Sequence, residues 1–387
     1  MRIATRIIQF IVGLLFIISG LVKANDPLGL AYKMEEFFEL WIAGLKSGHF
    51  FAKAPLISFL NFFDHHTLFL SVTMITLEII AGVALLLSWM KRFVLYLLLV
   101  LIAFFTFLTG YAYLSGKFTN CGCFGDCLPI TPLTSFAKDV VLLLLILFLV
   151  AGQKYIQPVL PRRQSTAVVS LSLLFTLLLQ WYVLNYLPLV DCLPMKKGNN
   201  IAEQIQPPKN AIPSIYETRL VYRNTKTNQL KDMTQTEFNN SKIWEDTTWK
   251  WKETQTRLIQ KGTDIPKLQN FSLKTLNGYD STEAILNYPG YSIMYFVNPG
   301  SDGQLFDKNY WNNKAKELPV FVITSSPDKF TEETGNNYQV FTTDGTVFRI
   351  AARVNPTIYL FKQGTIINKW PLTKRGEFET TVRQLKK

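Results

Sequence analysis

Histidine is nearly missing from this sequence, and cysteine stops early. Three of the 387 residues are His and four are Cys, and no Cys lies beyond Cys192. There is no Cys-x-x-Cys-His, which excludes c-type haem attachment. The Cys spacing is not that of a zinc knuckle and no His follows it closely, so no metal is expected. His65 and His66 are neighbours in sequence and read as interfacial residues, not as a metal pair. No small-x-small cleavage site follows the first apolar run, which therefore reads as a retained helix and not a signal peptide. Acidic residues are outnumbered, 28 against 40 Lys and Arg, giving a formal charge of +12. No nucleic-acid partner is inferred from that excess. Many of the basic residues stand in loops beside apolar runs, as positive-inside bias requires.

Long apolar runs are what the chain does have, and they fill its first half. The spans read as roughly Ile7–Val22, Thr67–Leu87, Phe93–Leu114, Phe136–Ala151 and Val168–Leu187. Most approach the ~20 residues needed to cross a bilayer as helix; the fourth is short. Arg2 and Arg6 precede the first span, Lys91 and Arg92 join the second to the third, and Lys154, Arg162 and Arg163 join the fourth to the fifth. With five spans these groups share one face, which is expected to be cytoplasmic. The opposite, exported face then holds the Asp26–His66 loop, the second half of the chain and all four cysteines. Disulfides persist in that compartment.

Three cysteines lie within seven positions, in Cys121-Gly122-Cys123-Phe124-Gly125-Asp126-Cys127-Leu128-Pro129. The fourth sits in a similar phrase, Asp191-Cys192-Leu193-Pro194. Four cysteines allow three complete pairings, and spacing does not choose among them. A bridge from Cys192 to one of the other three, with two left to exchange, is the favoured arrangement. Thiol exchange needs an accessible sulfur, a thiolate and a resolving thiol nearby, and the cluster supplies the sulfurs. Permanent disulfide staples are the competing reading. Glu78 is read as the only mid-span charge, either functional or paired. Lys23, at the end of its span, is expected to snorkel.

The phrase CGCFG before the fourth span resembles that of the MauE and DoxX-like membrane proteins, a four-helix redox-associated superfamily. The run from Phe16 through Ser19 and Gly20 to Lys23, then Asp26-Pro27, is similar to the DoxX opening F-x-x-S-G-x-x-K. Leu77-Glu78-Ile79-Ile80-Ala81-Gly82 followed by Leu85-Leu86-Leu87 resembles the glutamate-glycine pattern of the family's second helix. The likeness covers about residues 5–152. It implies a polytopic protein tied to electron transfer or thiol maturation, and it raises a functional role for Lys23. The fifth span, Cys192 and the second half of the chain depart from that pattern.

Beyond Asp191 the texture becomes soluble. Tyr216–Arg223 alternates as a strand, and Lys226–Gln229 suits a hairpin turn. Trp249, Trp251 and Leu258 continue a β-rich or irregular section, with the aromatics expected to pack on the following domain and contact with a partner as the alternative. From Ile265 strand and helix signals alternate: Tyr291–Val297, Val320–Thr324 and Pro356–Phe361 read as strands, Pro327–Thr334 and Arg375–Leu385 as helices. The order is similar to the thioredoxin-like fold of the peroxiredoxin and thiol-disulfide reductase type, with Val354-Asn355-Pro356-Thr357 as its cis-proline turn. Where that family carries Cys-x-x-Cys, this chain has Asn298-Pro299-Gly300-Ser301-Asp302-Gly303. Dithiol chemistry in this part is thereby excluded, and docking or shielding is left to it.

The expected fold class is an α-helical membrane bundle followed by an exported α/β domain. Residues 1–152 form a DoxX/MauE-like bundle, 153–190 a fifth transmembrane helix, 191–262 a linker with a small β-rich segment and 263–387 the thioredoxin-like domain. The expected function is thiol–disulfide exchange at a bacterial inner membrane between exported client proteins and a membrane carrier, for which a quinone is suited. Cys121, Cys123, Cys127 and Cys192 carry the redox chemistry, with Glu78 and Lys23 as a polar or proton site in the membrane. A non-catalytic envelope scaffold stapled by disulfides is the alternative, and a transporter a third reading that lacks an inverted repeat.

Overall fold

The computed structural model describes residues 1–47, 53–116, 118, 125–127, 130–260, 262–299, 306–334 and 339–385. Five of its helices are long and apolar enough to cross a membrane: α1 (Arg2–Ala24), α4 (Thr67–Leu87), α5 (Lys91–Ser115), α6 (Pro132–Ala151) and α7 (Arg162–Tyr186). The α4 span coincides with its sequence reading. The fourth span is longer than read. Thr131 caps it by accepting from the Thr134 N–H, and Pro132 takes the first helical position, where its missing N–H is no loss.

The segment read as an Asp26–His66 loop is largely helical: α2 (Pro27–Ser47) and α3 (Lys53–Asp64). Pro27, Ala31, Met34 and Phe37 recur at helical spacing and are buried on one face of α2. That face packs on α4, and the Ser71 hydroxyl donates to the Pro27 carbonyl at 2.7 Å.

Within the bundle α1 packs on α4 and α5 on α6. The α1–α4 contact is close because glycines meet: a Cβ on Gly82 would lie 2.8 Å from the Gly13 carbonyl and 2.9 Å from the Ile17 side chain. Small residues allow such approaches between membrane helices. Gly82→Val is expected to cost about 1–3 kcal/mol through overpacking, read as a lower unfolding midpoint of the detergent-solubilised chain. Gly44→Ala, with nothing within 4 Å of its added Cβ, is expected to be neutral or slightly stabilising.

After α7 the chain runs through a short helix, α8 (Ile201–Gln204), into a three-stranded antiparallel sheet ordered β2-β1-β3. Its strands are β1 (Ile215–Asn224), β2 (Leu230–Thr234) and β3 (Trp249–Gln260), with α9 (Gln235–Ser241) between the last two. The expected packing of Trp251 on the next domain does not occur. Its ring is 59 % exposed and its indole N–H donates to the Thr254 hydroxyl in the same strand.

The C-terminal part is a six-stranded mixed sheet ordered β4-β7-β6-β5-β8-β9. Its elements in chain order are β4 (Lys274–Thr275), α10 (Thr282–Leu286), β5 (Tyr291–Phe296), α11 (Lys308–Ala315), β6 (Val320–Thr324), α12 (Pro327–Thr334), β7 (Val340–Thr342), α13 (Gly345–Ala351), β8 (Thr357–Lys362), β9 (Thr365–Pro371) and α14 (Arg375–Gln384). Strands β5, β6 and β7 are parallel, and β8 runs antiparallel to β5 and β9. Both faces are buried, so the strands read as continuous apolar runs. Met294, Phe296 and Tyr359 join a core with Val347 and Phe348 of α13. Ile293, Tyr295 and Ile358 join the opposite core with Trp311, Phe330 and Phe378.

Candidate functional site

The site lies around the last turn of α1, where the bundle meets the C-terminal part. A tight turn at Gly125–Cys127 lies against α1 and α2, with the Gly125 backbone close enough that a Cβ there would be 3.8 Å from the Val22 carbonyl. Gly125 has φ of +58°, a conformation that costs glycine little. The segment after α7 reaches the same turn from the other side. Asn25 donates to the Val190 carbonyl at 2.8 Å and accepts from the Val190 N–H at 2.9 Å. Two residues on, Cys192 is disulfide-bonded to Cys127, with a Cα–Cα separation of 4.8 Å. Both cysteines are half-buried. Cys121 and Cys123 lie outside the described residues.

Lys23 sits on that same last turn of α1, and it does not snorkel. Its ammonium points into the bundle and is only 3 % exposed, against 4 % for Glu78. The two form a bidentate ion pair with Nζ–Oε distances of 2.7 and 2.9 Å. The ammonium also lies 4.6 Å from the centre of the Phe105 ring. Snorkelling loses because Glu78, roughly half-way along α4, is level with the end of α1: Ala24 packs with Ile75 and Ile79. A buried carboxylate within reach outweighs hydration for a cation that would otherwise leave that charge unpaired.

Glu78 is not the only charge inside the spans. Asp139 of α6 is 1 % exposed, pairs with Lys138 at 2.6 Å and accepts from the Thr109 hydroxyl at 3.1 Å. Both ion pairs, with Ser19, Phe105 and Leu142, line one small cavity of about 20 Å³. The signal for Lys138 and Asp139 was plain in the sequence, two adjacent charges within an apolar run. What concealed their role was the position of the start of α6, which lies four residues before Phe136.

A second ionic layer clamps the C-terminal part onto this turn. Asp26 pairs with Arg353 at 2.9 Å, and Glu35 pairs with Arg349 at 2.5 Å. The Tyr32 ring lies under both guanidinium groups, at 4.7 Å from Arg349 and 5.2 Å from Arg353. Burial pushes the Tyr32 hydroxyl above its ordinary pKa, against the opposing pull of Arg353. Asp191, next to Cys192, pairs with Lys369 of β9 at 2.6 Å, and Lys369 also donates to the Met195 carbonyl at 3.2 Å. Burial lowers the Lys369 pKa, and the Asp191 charge opposes that shift. Asp26 and Asp191 stood in the sequence motifs, but none of these three pairings was read from sequence, because each partner lies over a hundred residues away.

The stretch at Asn298 is closed by amides. The Asn298 side chain accepts from the Thr324 hydroxyl at 2.8 Å and the Ser325 N–H at 2.9 Å, and donates to the Ser325 hydroxyl at 2.8 Å. Asn298 and Asn355 exchange two further bonds, and the Asn355–Pro356 peptide is cis. Gly300, Ser301, Asp302 and Gly303 lie outside the described residues. His65 and His66 are exposed at the turn between α3 and α4, where His66 Nδ1 contacts the Phe62 carbonyl at 2.7 Å. Among the described residues no group of three or more His, Cys, Asp or Glu side chains is placed to hold a metal ion.

No curated protein and no solved structure matches this chain. One family does, and its match ends where α6 ends. It takes in Lys23, Glu78, Asp139 and Cys127 and leaves Cys192 and the clamping residues of the C-terminal part outside. Over residues 1–152 of its 387, the chain is similar to the family described as Methylamine utilisation protein MauE.

Proposed function

We propose that this chain is a bacterial inner-membrane thiol–disulfide redox protein, passing electrons between exported protein thiols and a membrane carrier such as a quinone. The observation that carries the reading is the Cys127–Cys192 disulfide, which joins a MauE-type membrane part to a segment outside it. The bond sits half-buried beside the last turn of α1, the turn that carries Lys23. Cys121 and Cys123, four and two residues before Gly125, are the resolving thiols of this scheme.

The orientation is supported by how the basic loops gather. Lys91 donates to the carbonyls of Gln153 and Ile156, and Thr5 lies beside Gly152, so the three basic groups share the end opposite the disulfide. Positive-inside bias makes that end cytoplasmic and the C-terminal part periplasmic. The sheet order supports a thioredoxin-like domain of the reductase type, here without its cysteines. Such a domain presents clients or shields the membrane thiols.

The scaffold reading has one observation in its favour. Three ion pairs and the Asn25 clamp already fix the region around Cys192, which suits a permanent staple. Trapping thiols in living cells by alkylation separates the two. With each single Cys→Ser variant, a redox protein is expected to show a mixed oxidation state and covalent complexes with clients, most strongly when a resolving cysteine is removed. Cysteines that are always fully oxidised, with serine variants unimpaired, overturn the redox reading in favour of the scaffold.

A further inference from the structure

The buried charges have no task in a simple staple, and their arrangement suggests one. Two carboxylates and two ammonium groups from three helices, α1, α4 and α6, line a single cavity. Its volume of about 20 Å³ is close to what one water needs. With both pairs ionised the cluster is neutral, so it can take up one proton by changing its charge by one unit. Ser135, one turn before Asp139 on α6, is fully buried and its hydroxyl has no hydrogen-bond partner among the described residues. It continues the polar face from Asp139 toward the start of α6, at the disulfide end of the bundle. Lys23 belongs to the helical turn on which both halves of the disulfide rest, through Val22 beside Gly125 and Asn25 bonded to Val190.

We propose that the Lys23–Glu78 pair, with Lys138–Asp139 beside it, is a redox-linked proton site of the Cys127–Cys192 disulfide. The inference rests on the redox reading above and adds where the protons go. Reduction breaks the S–S bond with two electrons and two protons, supplied by a dithiol that is itself oxidised to a disulfide. One proton goes to one sulfur. The other goes to the Glu78 carboxylate, leaving the second sulfur as a thiolate whose negative charge competes with Glu78 for Lys23. Reoxidation by a quinone reverses the step: the S–S bond re-forms, two electrons pass to the quinone, and the thiol and Glu78 protons are released to its two oxygens. Net charge in the region is then the same before and after. That matters where a lone charge interacts strongly with its surroundings.

Among the described residues, three further charged pairs stand near this turn: Asp26 with Arg353, Asp191 with Lys369, and Asp139 with Lys138. Asp139 is the competing proton acceptor, so the test must tell it from Glu78.

The test uses the purified full-length chain in detergent, reduced with a water-soluble phosphine, so that neither client nor carrier is needed. The phosphine takes the oxygen of one water and leaves the two sulfurs and two protons. The infrared difference spectrum, reduced minus oxidised, is expected to gain a carboxylic-acid C=O band that moves in D₂O. It should shift on uniform ¹³C-glutamate labelling, not on ¹³C-aspartate labelling, and vanish in Glu78→Gln. The labelled wild-type protein keeps the test decisive should the variant not fold. Absence of any such band, a shift with aspartate labelling only, or a band retained in Glu78→Gln overturns the proposal. A band in a protein whose thiols never exchange in cells sinks the redox function alone, and exchange without a band sinks the proton site alone.

Discussion

Glu78→Leu is expected to destabilise the chain by about 3–5 kcal/mol, because it strands the Lys23 ammonium in the bundle without its counter-charge. Lys23 is 3 % exposed and its ammonium donates to both carboxylate oxygens of Glu78. The Phe105 ring face offers a weaker substitute. Lys23→Met is expected to be similarly costly, since it leaves the carboxylate alone. The double variant Lys23→Met/Glu78→Leu removes both charges and is expected to recover most of the loss, for apolar replacement of a buried pair is often neutral or stabilising. Equilibrium unfolding of the four proteins in detergent measures the coupling as a double-mutant cycle. If the double variant loses as much as the two single variants summed, the charges are not energetically coupled.

Removing the disulfide is the second large effect. The bond closes a stretch of 65 residues, for which chain entropy alone gives about 4 kcal/mol. Cys127→Ser, Cys192→Ser and the double variant are expected to lose the same amount, because each breaks the same cross-link once. A smaller loss in Cys127→Ser than in Cys192→Ser would mean that another thiol of the loop replaces Cys127. The segment carrying Cys192 should nevertheless stay in place in these variants. Asn25 holds Val190 by two hydrogen bonds, and Lys369 holds Asp191 at 2.6 Å. Limited proteolysis near Leu187–Gly198 is therefore expected to accelerate only when Cys192→Ser is combined with Lys369→Met, which also breaks the Asp191 pair. Rapid cleavage in Cys192→Ser alone would show that the bond carries the docking.

The DoxX-like opening acquires a physical content from these contacts. Ser19 and Lys23 line the ionic cavity, Gly20 and Gly82 let α1 and α4 close on each other, and Asp26 pairs with Arg353. Residues that read as a pattern along one helix therefore perform three separate tasks: polar lining, close packing and docking of the C-terminal part.

Sequence by itself determined what depends on local composition. Runs of apolar residues near bilayer length marked five spans, Thr67–Leu87 to the residue, since a helix in lipid must satisfy its own backbone. Alternating strand and helix signals marked the strands between Tyr291 and Phe361, and the lack of cysteine after Cys192 removed thiol chemistry from the C-terminal part. The tertiary structure decided what depends on meetings between distant residues. It chose Cys127 as the partner of Cys192, turned Lys23 inward onto Glu78 and brought Asp139 to the same cavity. It also set Arg353 against Asp26 across more than three hundred residues. A pattern along one helix gives the face of a side chain but not what stands opposite. For a charge in an apolar bundle, what stands opposite decides whether it escapes to water or stays buried in a pair.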